Sequence, residues 1–278
     1  MSLDARVLVP QVSGVRGHFI IVGTVGLAFA SAAAAADEQP ICADRPGKAN
    51  PTCTVPAGMV QIETGLVDWI RDSEPGIRTD SLSLASTAFK YGVSERWSLE
   101  LDVTPYESLR VPGGGIHETD SSFGDLFVRS KYRLTSGDGV QIAMNPFVKI
   151  PTASRPIGNR KLEAGIAFPI DYSIPKSTLS ITLGPEIDWV ENGDDHGHHA
   201  AMAQVVGLGW SVTRKLNLSA ELWGQWDWDP SGTTRQATAD GAIAYLLNTS
   251  LQLDAGANFG LNRVTPDVEL YGGVSVRF

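Results

Sequence analysis

Beyond residue 36, this 278-residue chain has no run of 18 apolar residues, so no sequence there could form a membrane-spanning helix. Histidine is scarce. Of five, only His117, His196, His198 and His199 lie beyond residue 36, all in loop-like stretches and none at a recognisable spacing from a serine in a strand. A serine hydrolase site with a histidine base has no visible frame here. Positive charge is also short: 22 Lys and Arg against 31 Asp and Glu give a net charge of −9, and nucleic-acid binding needs the opposite balance. Pro112-Gly113-Gly114-Gly115 precedes no helical pattern, so it is not a phosphate cradle, and no other motif calls for a cofactor. Glu100 and Asp102 could do acid–base work, but inward spacing of two is what strand alternation gives anyway.

There are two cysteines, Cys42 and Cys53. In an exported chain so close a pair reads as a disulfide, closing a loop worth about 3 kcal/mol in the chain-entropy view. A metal or redox pair is the competing reading, with no histidine nearby to support it. Export itself is read from residues 19–30, an apolar core preceded by Arg6 and Arg16 and followed by polyalanine up to Ala36. That pattern predicts a signal peptide over 1–36, against the alternative of an uncleaved helical anchor, for which the core is short. Losing Asp4, Arg6 and Arg16 makes the exported chain one unit more acidic. Residues 37–57 read as a cross-linked periplasmic lead-in, and 58–278 as one further domain.

That domain is predicted to be all-β. Alternation of period two marks twelve strands, at 59–69, 81–91, 97–105, 123–134, 140–150, 162–174, 178–190, 199–212, 216–228, 234–246, 249–261 and 267–278. Strands two, eight and ten alternate poorly. Connections after even strands are short and those after odd strands include the longest, notably 70–80, 106–122, 151–161 and 191–198. An even strand count with this alternation predicts an up-and-down transmembrane barrel with both ends in the periplasm. Aromatic residues support it. Trp69, Trp189, Trp226, Trp228 and Phe259 fall near one set of strand ends, and Trp97, Tyr132, Tyr172, Tyr245 and Phe278 near the other, as two membrane interfaces require. A soluble β-sandwich is the alternative, usually built from shorter strands.

In the last stretch, Val268, Leu270, Gly272, Val274, Val276 and Phe278 share one face, and Asp267, Glu269, Tyr271, Gly273, Ser275 and Arg277 the other. This stretch resembles the closing strand and assembly signal of bacterial outer-membrane barrels, which would assign recognition to Tyr271, Val274, Val276 and Phe278. The opening of the domain, C-A-D-R-P-G-K-A-N-P-T-C-T-V-P-A-G-M-V-Q-I-E-T-G-L-V-D-W over 42–69, resembles the start of outer-membrane transporters of the MetA-pathway-of-phenol-degradation family. The resemblance implies an outer-membrane barrel that moves small organic compounds, with outer-membrane lipid, the barrel assembly machinery and small-molecule solutes as partners. A closed structural or surface-interaction barrel with functional loops remains the alternative.

Alternation also predicts the lumen. Arg129, Lys131, Arg133 and Lys149 face inward on strands four and five, while Glu221, Asp227, Asp240, Asp254, Asp267 and Glu269 face inward on strands nine to twelve. In a ring of twelve, a basic stripe would face an acidic one. Such stripes either order water for polar solutes or close into salt bridges. Trp223 is predicted inward at mid-strand, where its face could hold a ring-shaped solute or simply pack. His196, His198 and His199, with His117, are candidate metal ligands in the outer loops, or a solvated loop tip.

Overall fold

The computed structural model describes residues 39–278 except 75, 76, 114, 115 and 138; the signal-peptide expectation over 1–36 lies outside the described residues. Fifteen strand segments join in one antiparallel sheet whose first strand pairs with both its second and its last, so the sheet closes. Three pairs of segments are collinear, which makes the barrel twelve-stranded. The strands are β1 (Val60–Glu74), β2 (Ile77–Ser94), β3 (Trp97–Val103 and Tyr106–Gly113), β4 (Ile116–Ser122 and Leu126–Arg133), β5 (Val140–Ile150) and β6 (Glu163–Ala167 and Ile170–Ser173). They continue as β7 (Leu179–Glu191), β8 (His198–Ser211), β9 (Leu216–Asp227), β10 (Thr234–Asn248), β11 (Leu251–Gly260) and β12 (Val268–Arg277). Closure answers the edge problem for the barrel wall, since β1 pairs with both β2 and β12; among the described residues only the extension Ile116–Ser122 has a neighbour on one side alone.

The interruptions have local causes. Pro105 has no N–H to give, and β3 breaks there; the Gly124 amide in the facing break of β4 donates to the Thr104 carbonyl at 2.9 Å. β6 breaks at Phe168 and Pro169, where the Phe168 amide turns to the Pro185 carbonyl at 2.8 Å. Two reset positions explain why alternation falters in the first hairpin. The β1–β12 register shifts between Gly65 and Val67, leaving Leu66 and Val67 both outward. In β2, Ala85 takes a φ of 57°, and pairing passes there from the first part of β3 to its second.

The segments 70–80 and 106–122, expected as long loops, are instead strand extensions. β1 and β2 pair out to Glu74 and Ile77, and β3 and β4 pair out to Gly113 and Ile116. These extensions leave the apolar layer, water wets both faces, and alternation disappears even though the backbone ladder continues. The other long connections, 151–162 and 192–197, lie at the same end, opposite both barrel termini.

The outward face carries the apolar residues. Leu99, Leu101, Val206, Leu208, Leu222, Ile243 and Leu253 are exposed between two aromatic belts: Trp189, Trp226, Trp228 and Phe259 at the long-loop end, and Trp97, Tyr132, Tyr172, Tyr245 and Phe278 at the other. β12 closes against β1, ending in reciprocal backbone hydrogen bonds between Phe278 and Val60 of 2.8 and 3.1 Å. Serine would keep these backbone bonds but remove the exposed Phe278 ring from the aromatic belt, and the replacement is expected to lower the yield of folded barrel several-fold. Heat-modifiable mobility of outer-membrane fractions measures this, and normal levels would count against a role for this residue in assembly.

Candidate functional site

The lumen is occupied by the chain's own residues 39–57. The segment enters at the short-turn end, where the Ile41 amide donates to the Thr249 carbonyl at 2.7 Å and Arg277 reaches the Gln39 carbonyl. It runs up to Lys48 and returns to the β2–β3 turn, where the Thr54 hydroxyl donates to the Glu95 carbonyl. Cys42 and Cys53 form a disulfide at the base of this excursion. Read from sequence as a lead-in, the segment has no regular structure, so its polar groups need partners. The barrel wall supplies them.

The pairing follows charge. Asp44 sits between the ammonium groups of Lys90 (2.6 Å) and Lys131. Glu63 on β1 accepts the Asp44 and Arg45 amides at 3.0 and 3.1 Å and also pairs with Lys90. On the far wall, Arg45 meets Asp254 at 2.9 Å and Lys48 meets Asp240 at 3.1 Å, while Glu221 accepts the Lys48 amide at 2.8 Å. The basic side of the barrel thus binds the segment's one acid, and the acidic side binds its two bases. Gly47 makes the close approach possible, since a Cβ there would stand 2.2 Å from the Glu221 carboxylate. Glu63, Lys90, Lys131, Glu221, Asp240 and Asp254 are all buried.

The other predicted lumen residues divide. Lys149 pairs with Glu163 at 2.6 Å, and Arg129 pairs with Asp102 at 2.6 Å while lying over the Phe127 and Phe147 rings. Arg133 reaches only the Glu95 carbonyl at the short-turn end. Glu269 accepts a hydrogen bond from Asn258 at 2.6 Å, and Tyr271 faces inward beside Arg45. Val274 and Val276 point outward, as alternation requires. Asp227 binds His199 at 2.6 Å near the outer rim, and Asp267 is exposed just before β12 rather than inside the lumen. Trp223 does face inward, but the Lys48 ammonium stands 5.5 Å from its ring centre. A cation of the chain itself already covers that aromatic face.

The basic and acidic stripes therefore do not confront each other across open water: residues 39–57 stand between them, pairing with Lys131 on one side and with Glu221, Asp240 and Asp254 on the other, while Arg129 and Lys149 pair with acids of the wall itself. Cavities remain on either side. One of about 360 Å³ lies between the segment and β7–β11, with Ser180, Thr182, Ser219 and Asn217 in its wall. Another, of about 280 Å³, lies against β1–β5 beside Lys90, Glu100 and Arg129. Small inward residues make room for the first. Gly207 and Gly209 on β8 and Ala244 on β10 line it, which is why these two strands show weak polar alternation.

The outer-loop histidines do not converge. Among the described residues, no three His, Cys, Asp or Glu side chains gather as a metal site. His196 contacts the Asp194 carbonyl, His198 contacts the Leu162 carbonyl while stacking on Trp189 at 3.5 Å, and His199 lies between Asn192 and Asp227. They brace loops. The side chain of His117 lies outside the described residues. Asp229 in a neighbouring loop is held down to about 2, by the Ser231 hydroxyl first and then by the Gly193 and Ser231 amides.

Sequence reasoning missed Asp44, Arg45, Lys48, Glu63 and Lys90. The available signal was an adjacent Asp-Arg pair and a lysine inside a stapled Pro- and Gly-containing stretch.

Residues 43–278, which include this charged segment and every barrel strand, match the family described as "Putative MetA-pathway of phenol degradation". The chain belongs to this family. No curated protein matches it. Among solved structures, the barrel is similar to an outer membrane channel from Pseudomonas putida F1, at 14% identity and a TM-score of 0.64, covering 84% of this chain and 99% of that one. It is also similar to the beta domain of the Bordetella autotransporter BrkA, at 12% identity and a TM-score of 0.54, covering 80% and 100%. A third similar structure is the NanC porin, at 9% identity and a TM-score of 0.50, covering 78% and 98%. Likeness at this identity establishes a shared closed-barrel architecture.

Proposed function

We propose that the protein is an outer-membrane channel for passive diffusion of small organic solutes, single-ring aromatic compounds among them, through the space left beside residues 39–57. The observation that carries this reading is the lumen itself: a closed twelve-strand wall, polar inside, with two cavities flanking a segment that is docked largely by ion pairs and hydrogen bonds and closed on itself by one disulfide. Family membership supports it, since the family's description concerns phenol degradation. The similar channel from Pseudomonas putida F1 is a further support for a transport role over catalysis. The lining has hydroxyls, amides and balanced charges, which suit neutral solutes able to accept or donate a hydrogen bond.

The docked segment favours one other reading, a closed barrel acting through its outer loops. Liposome swelling separates the two. Proteoliposomes are expected to swell in small neutral polyols and to stop doing so as solute size approaches that of a disaccharide. No swelling with any solute, by protein shown to be folded, would select the closed barrel.

A further inference from the structure

At the outer rim, several basic side chains have an acidic partner. Arg71 and Arg78 share Asp80, Arg155 meets Asp195, and Lys161 meets Glu191. Arg235 and Arg263 are different: both are exposed, and neither guanidinium has an ion pair or hydrogen bond among the described residues. Arg110 and Arg160 are also unpaired, but Arg110 stands across from Asp80 and Thr119, and Arg160 lies in the 151–162 connection. Only Arg235 and Arg263 are brought together by neighbouring strands.

The backbone fixes their proximity. β10 and β11 pair through Ala239 with Phe259 and Thr238 with Gly260. The pairing continues past the strand end, because the Leu261 amide donates to the Ala237 carbonyl at 2.8 Å. Asn262 then donates from Nδ2 to the Arg235 carbonyl at 3.1 Å, and Gln236 from Nε2 to the Val264 carbonyl at 2.8 Å. Residues 262–264 are thereby tied alongside 235–236. Arg235 is also in register with Trp226 on β9. Around and below the two arginines, Trp226, Phe259, Leu261 and Val264 are exposed, the last three each by more than half of their surface.

Two cations without a protein anion would repel each other, and they stand here where the apolar belt meets the outer headgroup layer. A guanidinium fork matches two phosphate oxygens, and the apolar apron matches acyl chain. The protein as a whole is acidic, so attraction for an anionic headgroup has to come from a local patch such as this one. We propose that the β10–β11 rim, built on Arg235 and Arg263 above Trp226, Phe259 and Leu261, binds the phosphorylated headgroup of an outer-leaflet lipid.

The test uses the purified barrel in mild detergent and measures bound lipid by native mass spectrometry during titration with diphosphorylated lipid A. Dephosphorylated lipid A and inorganic pyrophosphate serve as the other probes. The wild type is expected to bind the diphosphorylated lipid on the order of ten-fold more tightly than an Arg235→Ser/Arg263→Ser variant, given the attraction each surface cation contributes. Dephosphorylated lipid should bind the wild type as weakly as the variant binds either lipid. Equal binding by the variant, or by the dephosphorylated lipid, overturns the proposal. Pyrophosphate binding as tightly as the lipid overturns it too, since the site would then serve a free anion. Heat-modifiable mobility confirms the variant's fold; if the double variant does not fold, the lipid comparison on wild type and Arg263→Ser, which lies outside the strands, gives the same decision.

Discussion

A channel carrying Asp44→Ala is expected to conduct far more current than the parent protein. Asp44 is the only carboxylate within residues 39–57, and it lies between Lys90 and Lys131. Burial pushes its carboxyl up, but the two ammonium groups outweigh burial and hold it well below the usual carboxylate range. In the alanine variant Lys90 would keep Glu63 and Glu100, whereas Lys131 would keep only the Pro51 carbonyl. Stripping one partner from a buried pair costs roughly 3–5 kcal/mol. Since about 1.4 kcal/mol is a factor of ten, the balance between docked and undocked segment should move on the order of 100-fold or more.

Single-channel recording in planar bilayers would show this as larger steps or longer open times. Parental conductance from a properly folded variant would mean that Asp44 does not hold the segment in place. Adding Lys131→Met should restore part of the closure, because an apolar replacement removes the stranded charge. The same geometry sets the pH response. A carboxylate depressed in the docked state contributes fully above its ordinary pKa of about 3.9, and the contribution is lost as pH falls through the depressed value. Conductance governed by Asp44 should therefore be flat from about pH 5 to pH 8 and rise only in strong acid.

Opening the disulfide should act in the same direction. Every contact of Asp44, Arg45 and Lys48 with the wall, and the 2.6 Å bond from the Thr52 amide to Asp171, lies between Cys42 and Cys53. With the bond intact, the undocked segment is still a closed loop with few conformations. Without it, the undocked state gains chain entropy worth about 3 kcal/mol, or about 100-fold in the docking balance. Cys42→Ser/Cys53→Ser protein, and wild type treated with dithiothreitol, should both conduct more, while the reductant should leave the serine variant unchanged. Complete reduction, verified by mass, with no change in conductance would show that the wall contacts alone hold the segment. The effect should not add fully to that of Asp44→Ala, since both act on one docking event.

The barrel was legible because its signal is local. Alternation at Trp97, Leu99 and Leu101 or at Val274, Val276 and Phe278 needs only two faces and one apolar solvent. Legibility fails where a strand leaves that solvent, as at 106–113, or where one residue resets the phase, as at Leu66 and Ala85. It also fails where the inner face meets the chain itself. Ala201, Ala203, Val205 and Gly207 on β8 read as poorly patterned because they line a lumen already holding residues 39–57. Local periodicity has no way to report that Arg45 belongs to Asp254. Trp223 illustrates the limit: its inward direction was readable, and the Lys48 ammonium over its ring was not.

Arg45 and Asp254 are 209 residues apart, and Lys48 and Asp240 are 192 apart. The segment precedes every strand in the chain, yet its acidic partners arrive with β9, β10 and β11. Contacts so distant in sequence form late, after the loop-closure cost of the whole barrel has been met. Until then Arg45 and Lys48 have no anions to dock on. Seating of the N-terminal segment is thus a record that the barrel has been completed, and protease resistance acquired by residues 39–57 would time the last step of assembly.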